Sequence, residues 1–190
     1  MPHMTGTGML AMFALCLVGI TVYSFLIFLP CWIIAKRRNV AGSWWNWVIP
    51  LWNSYIAFRL GNGSIKQATV VALLLVAGAI GFVLKDISQI VMVAGGLLLG
   101  SAVVMFFYIS YNWLMQIGIL AGVHKHLLPM VLLVLQVTVV VGLVAYSILD
   151  LGTTEYVGVI DNTVNLLSWI FFLIVAVRTP RAENPPQALL

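Results

Sequence analysis

Charge is what this sequence lacks. Of 190 residues, nine are Lys or Arg and five are Asp or Glu, 7% in all, against a hydrophobic share of 63%. A soluble globular domain carries about 25% charged residues, because its surface must face water. So few charges cannot coat a water-soluble domain, and with a mean hydropathy of +1.11 the chain reads as an integral membrane protein. A disulfide framework is also missing. The two cysteines, Cys16 and Cys31, share one apolar segment on which fifteen helical residues separate them by about 22 Å, whereas a disulfide needs its Cα atoms within about 7 Å. Both read as small apolar residues. A basic stretch ahead of the first apolar run is lacking too, and that run continues through Pro30 to Ile34, beyond signal-peptide length. It is expected to remain as the first span.

No span has a titratable residue at its middle. Such residues are costly in lipid and usually functional, so their absence argues against proton pumps and ion-coupled transporters. A nucleophile with its base, paired carboxylates or a metal set is also missing, so no catalytic residue, cofactor or metal is expected and the chain is not read as an enzyme. His124-Lys125-His126 is the one histidine cluster. Two His at i, i+2 fall short of the three or four ligands zinc takes, and the tripeptide reads as a turn before a span with Pro129 in its first turn. Asp150, Glu155 and Asp161 share a loop without the Asx-rich spacing of a calcium loop. They are expected to be solvated, with Asp161 capping the last span.

What is present is long apolar runs. A span needs about 20 mostly apolar residues to cross about 30 Å of hydrocarbon. Such runs lie at about residues 9–35, 65–84, 87–115, 127–149 and 163–178. The third belongs to an uncharged stretch from Asp86 to Lys125, about 55 Å if helical throughout, and is expected to reach the interface at Tyr111, Asn112 and Gln116. Residues 39–60, NVAGSWWNWVIPLWNSYIAFRL, are also long enough to span. If they do, the basic residues divide five against four between the two faces. If they do not, Lys36, Arg37, Arg38, Arg59, Lys66, Lys125, Arg178 and Arg181 share one face and Lys85 stands alone. The positive-inside rule describes the second arrangement, so five spans are expected, with the N-terminus outside and the C-terminus cytoplasmic. Asp86, Asp150, Glu155 and Asp161 then fall outside.

The segment at about 43–60 reads as a kinked, Trp-rich interfacial helix. On a helical wheel Ser43, Asn46, Pro50, Asn53, Ser54 and Ala57 form a narrow polar stripe, while Trp44, Trp45, Trp47, Trp52, Tyr55 and Phe58 cover the rest. Ser43 is a candidate N-cap, Pro50 kinks the middle, and Gly61-Asn62-Gly63 ends the helix. Trp44, Trp45, Trp47, Trp52 and Tyr55 are expected as interfacial anchors, because Trp and Tyr favour the headgroup level. Asn46, Pro50, Asn53 and Ser54, with Asn112, are the candidate interaction or cavity residues.

The run from Lys36 to Gly61, a basic loop followed by Gly42, Trp44, Ile49-Pro50-Leu51, Asn53 and Tyr55, resembles the Gly-Trp, Ile-Pro, Asn-x-Tyr pattern of a family of small polytopic bacterial membrane proteins of unknown function. In some bacteria a similar segment precedes a signal peptidase I domain. Extra tryptophans and the lack of a Pro before the Gly-Trp-like turn are departures from that pattern. The resemblance implies an architecture and a bacterial inner membrane; it brings no activity, and the peptidase's Ser-Lys domain has no room here.

Within the spans, Gly96 with Gly100 and Gly118 with Gly122 form GxxxG patterns, and Ala77 with Gly81 a small-xxx-small pair, which suit close helix packing. Neutral polar residues such as Thr21, Ser101, Gln136 and Asn165 suit interhelical hydrogen bonds. Residues 179–190 are Pro-rich and too poor in apolar mass to fold alone, and are expected to be extended unless a partner or neighbouring chain holds them. A formal charge of +4 dispersed over one membrane face suits anionic headgroups rather than nucleic acid.

The expectation is therefore an all-α, polytopic transmembrane bundle that is a non-catalytic small subunit, assembly factor or anchor of a membrane complex. Its partners would be the lipid bilayer and other membrane subunits or copies of itself. The alternatives are a channel or transporter for a small neutral or lipid-like molecule, and an immunity protein against a membrane-targeting toxin.

Overall fold

Apolar runs become helices because, in lipid, every backbone polar group needs a partner within its own segment. The computed structural model describes residues 6–84, 88–149 and 155–182, with side chains for 9–84, 88–142 and 158–182. Among these residues every regular element is a helix: α1 (Gly6–Arg37), α2 (Trp45–Val48), α3 (Trp52–Leu60), α4 (Ile65–Val83), α5 (Gln89–Ala121), α6 (Leu127–Leu149) and α7 (Glu155–Arg178). Four stretches are long and apolar enough to cross a membrane: Met9–Arg37, Ile65–Val83, Gln89–Ala121 and Gly158–Arg178. α6 is helical over 23 residues, with Leu127–Gly142 its apolar stretch of described side chains.

Two helix ends differ from expectation. α5 runs past Tyr111, Asn112 and Gln116 to Ala121, so that its 33 residues make about 50 Å of unbroken helix, well over the hydrocarbon thickness. It stops because Gly122 takes a left-handed conformation, φ 76°, which glycine adopts without a Cβ penalty. Gly122 is thus a helix C-cap, and one that Arg38 and Pro180 approach closely. α7 begins at Glu155, so Asp161 lies inside the helix rather than at its cap. Between Glu155 and Asp161 there is no proline and a single glycine, too little to stop a helix.

The packed core occupies one end of the bundle. Cys31, Ile34 and Ala35 of α1 meet Ile117 and Ala121 of α5, Leu128 of α6, and Val175 and Ala176 of α7, with Trp47, Ile56 and Ala57 of the short helices filling the centre. At the other end, residues 9–20 of α1 are exposed on every face. α4 packs on α5 through glycine. Gly78, Gly81 and Gly95 are buried, and a Cβ at Gly81 would stand 2.7 Å from Gly95 Cα. Gly96 sits about 100° round the helix from Gly95 and is half-buried; Gly100 is exposed, with nothing within 4 Å of an added Cβ. The expected Gly96–Gly100 face therefore stands beside the α4–α5 seam, not in it.

α1 and α7 run parallel, and a proline shapes their contact. Pro30 lies inside α1 and has no N–H, so the carbonyl four residues earlier, that of Leu26, loses its helical donor. Trp169 of α7 supplies one: its Nε1 donates to the Leu26 oxygen at 2.9 Å. Nearby, Gln136 of α6 donates to Asn165 of α7 at 2.9 Å, joining two residues read from the sequence as interhelical glue.

Candidate functional site

The tryptophan segment forms two helices rather than one kinked helix. A residue before proline is driven out of the helical region by the proline ring, and Ile49, before Pro50, is extended at φ −72°, ψ 116°. Leu51 follows at φ 67°, ψ −42°, a conformation that is costly for a residue with a Cβ. The chain reverses there. α3 starts as Asn53 and Tyr55 donate their N–H groups to the Ile49 and Leu51 carbonyls, both at 3.0 Å. It ends at Gly61-Asn62-Gly63, as the sequence indicates, with Gly63 N–H donating to Phe58 O at 2.9 Å. Gly61 is required because a Cβ there would run into the Trp113 ring. Ser43 serves through its backbone carbonyl, which accepts from Asn46 N–H at 3.2 Å.

Asn53 is the centre of this hairpin and is fully buried. Its amide donates to Ser24 Oγ of α1 at 2.9 Å and to the Trp47 carbonyl at 3.3 Å, and its oxygen accepts from Ser24 and Ser54. Ser24 lies about 20 Å of helix back from Arg37, so the hairpin runs far up α1 from the basic end. The amide thereby ties α1, α2 and α3 together at the point where the chain reverses. Asn46 and Pro50 are half-buried nearby. Asn112 does not join them; its amide donates to Tyr108 O of its own helix at 3.0 Å.

The five expected anchors divide by position. Trp44 and Trp45 are exposed and stacked with centroids 3.7 Å apart, and Trp52 is exposed beside half-buried Tyr55. Trp47 is a core residue instead, with its indole N–H donating to Ala41 O at 2.8 Å. The sequence reading missed three further residues that hold this region: Ser24, Trp113, whose Nε1 donates to Ala57 O at 2.8 Å, and Trp169. Only the last carried a signal, the carbonyl that Pro30 leaves open on a facing span.

Two clefts open in this part of the molecule, one of them against the hairpin. One, of about 410 Å³, lies between α3, α4 and α5 and is lined by Phe58, Val71, Leu75, Phe106, Ile109 and Trp113, with Ser110 its one polar side chain. The other, of about 510 Å³, opens at the basic end between α1 and the end of α7. It is lined by the apolar Trp32, Ile33 and Val177 and by the polar Lys36, Arg37, Asn39 and Arg181. The residues after α7 are held by α1 itself: Arg37 donates to Thr179 O at 2.9 Å and accepts from Ala182 N–H at 2.8 Å. The rest of the expected tail, 183–190, lies outside the described residues, as do Lys85, Asp86, Asp150 and the side chain of Glu155. His126 meets Tyr111, Oη to Nδ1 at 2.7 Å, and among the described residues no three metal-ligating side chains converge.

Comparison with protein-family models, with curated proteins and with solved structures finds no match.

Proposed function

We propose that the chain is a non-catalytic protein of a bacterial inner membrane that works by association, as a small subunit, assembly factor or anchor of a membrane complex. In this reading α1, α4, α5, α6 and α7 are five spans, the N-terminus is outside, and the basic end faces the cytoplasm. The α2–α3 hairpin enters the membrane from that side, with Leu51 at its tip. Lys36, Arg37 and Arg38 close α1, Lys66 opens α4, Lys125 precedes α6, and Arg178 closes α7, so the connectivity collects the positive charge at one end as the positive-inside rule requires.

The observation that carries the association reading is the asymmetry of packing. The core sits at the basic end, while residues 9–20 of α1 have no covered face. Separately, α5 presents Gly96, Gly100 and Ser101 along an open groove. Small residues let a second helix approach closely, which is how helices associate in lipid. Cys16 is exposed on that free half of α1 and provides a reporter. Native mass spectrometry after mild detergent extraction is expected to give an oligomer or a complex of fixed stoichiometry. A monomer without a co-purifying protein, combined with no Cys16 cross-link to any protein in intact membranes, overturns the reading.

A second reading, a carrier or channel for a lipid-like molecule, draws support from the apolar cleft between α3, α4 and α5. The region around Asn53 favours it less, because that amide is fully buried and bonded within the chain. Unchanged flux of a fluorescent lipid after reconstitution into vesicles would remove this alternative.

A further inference from the structure

We infer that the cleft between the C-terminal ends of α1 and α7 is a binding site for a phosphate group, the headgroup of an anionic phospholipid being the ligand its walls suit best. Lys36, Arg37 and Arg181 bring three positive charges to one cavity of about 510 Å³, within the range of about 300–1,000 Å³ of small-ligand clefts. The two helix C-termini beside it carry only about half a negative charge each, so the cleft stays electropositive. Among the described side chains the sole carboxylate is Asp161, about 25 Å away along α7, too far to neutralise it.

The donors are held in place. Arg37 uses one N–H on the Thr179 carbonyl at 2.9 Å, which orients the guanidinium and leaves other N–H groups in the planar fork that suits phosphate. Lys36 Nζ sits 5.0 Å from the centroid of the Trp32 ring, close enough for a cation–π contact, which fixes the ammonium at the rim. Arg181 is brought to the cleft because Ala182 N–H is tied to Arg37 O at 2.8 Å. Beside these cations, Trp32, Ile33 and Val177 supply apolar lining. A phosphodiester with a glycerol and acyl chains matches both the cationic and the apolar lining; a free phosphate matches only the cations. The inference rests on the membrane reading of the long helices and is independent of association.

The test is lipid retention by the full chain in mild detergent, read by native mass spectrometry. Dioleoyl phosphatidylglycerol and dioleoyl phosphatidylcholine are supplied at equal concentration. One phosphatidylglycerol is expected to survive activation that strips phosphatidylcholine. The Lys36→Gln, Arg181→Gln double variant is expected to retain it about thirtyfold less, the effect of two charges near a headgroup. Lys125→Gln, a charge on the same end but outside the cleft, is expected to leave retention unchanged. Both altered cleft residues are exposed, and Arg181→Gln alone, with an unchanged circular-dichroism melting midpoint, serves if the double variant does not fold. Displacement of the lipid by millimolar inorganic phosphate would support the phosphate site with a soluble ligand, and no displacement supports the lipid. Equal retention of the two lipids, equal retention by parent and variant, or an equal loss in Lys125→Gln would overturn the site. Association is read from the protein stoichiometry in the same spectra, so the two proposals fail separately.

Discussion

The indole N–H of Trp169 occupies, at 2.9 Å, the carbonyl of Leu26 that Pro30 strips of its helical donor. A proline that would weaken an isolated helix becomes the address at which a second helix docks. In a membrane this matters more than in water, because no solvent is available to take over an open carbonyl.

Trp169→Phe is therefore expected to destabilise the fold by about 1–3 kcal/mol, the cost of leaving a polar group unpartnered away from water. In a Pro30→Ala background residue 30 again donates to Leu26 O, and most of that loss should disappear. Denaturant melts of the four proteins in detergent give the cycle; additive effects would show that Trp169 acts through packing alone.

Asn53→Ala removes the amide that joins α1 to the hairpin and should cost about 1–3 kcal/mol. Ser24→Ala should cost less, because Asn53 keeps its bond to the Trp47 carbonyl. Double-mutant cycles in membrane proteins give about 0.6 kcal/mol per interhelical bond, with a maximum near 1.7. A Ser24–Asn53 coupling energy indistinguishable from zero would refute the bond as a tether.

Glycines on α4 and α5 are expected to separate by face. Gly81→Ala places a Cβ 2.7 Å from Gly95 Cα, an overpacking expected to cost about 1–3 kcal/mol. Gly100→Ala meets nothing within 4 Å and should leave the stability of the single chain within about 0.5 kcal/mol. The same substitution is expected to weaken any complex that uses the open groove, which cross-linking through Cys16 would register.

Leu51 is 84% exposed at the turn of the hairpin. If that turn is immersed in lipid, where a thiol stays protonated and unreactive, Leu51→Cys in a Cys16→Ser background is expected to resist a charged maleimide from either side of sealed vesicles and to be labelled once detergent opens the site. Asn62→Cys, in the turn at the basic end, should react with the charged reagent from whichever side the basic end faces. Rapid labelling of Leu51→Cys by the charged reagent would place the hairpin at the surface.

Much of the architecture was legible because hydropathy is local. α4 and α6 begin where the sequence indicates, and Asn53 stood out as a polar residue in an aromatic stretch. The ends of α5 and α7 were less legible, since an apolar pattern stops at polarity whereas a helix stops where its hydrogen bonds do. The anchors show the same limit. Trp44, Trp45, Trp47 and Trp52 are alike as residues, and only their angles around α2 and α3 make Trp47 a core residue and leave the other three exposed.

The sequence by itself determined that this is a helical chain poor in charge, with runs apolar enough to span a membrane, and that proline breaks the tryptophan segment. Those properties follow from composition and from single-residue backbone chemistry. Only the tertiary structure decided which distant groups meet. Trp169 completes Leu26, Ser24 meets Asn53, and the chain beyond α7 closes a cationic cleft against Arg37, because these partners lie 29 to 143 residues apart and no local pattern couples residues at such distances.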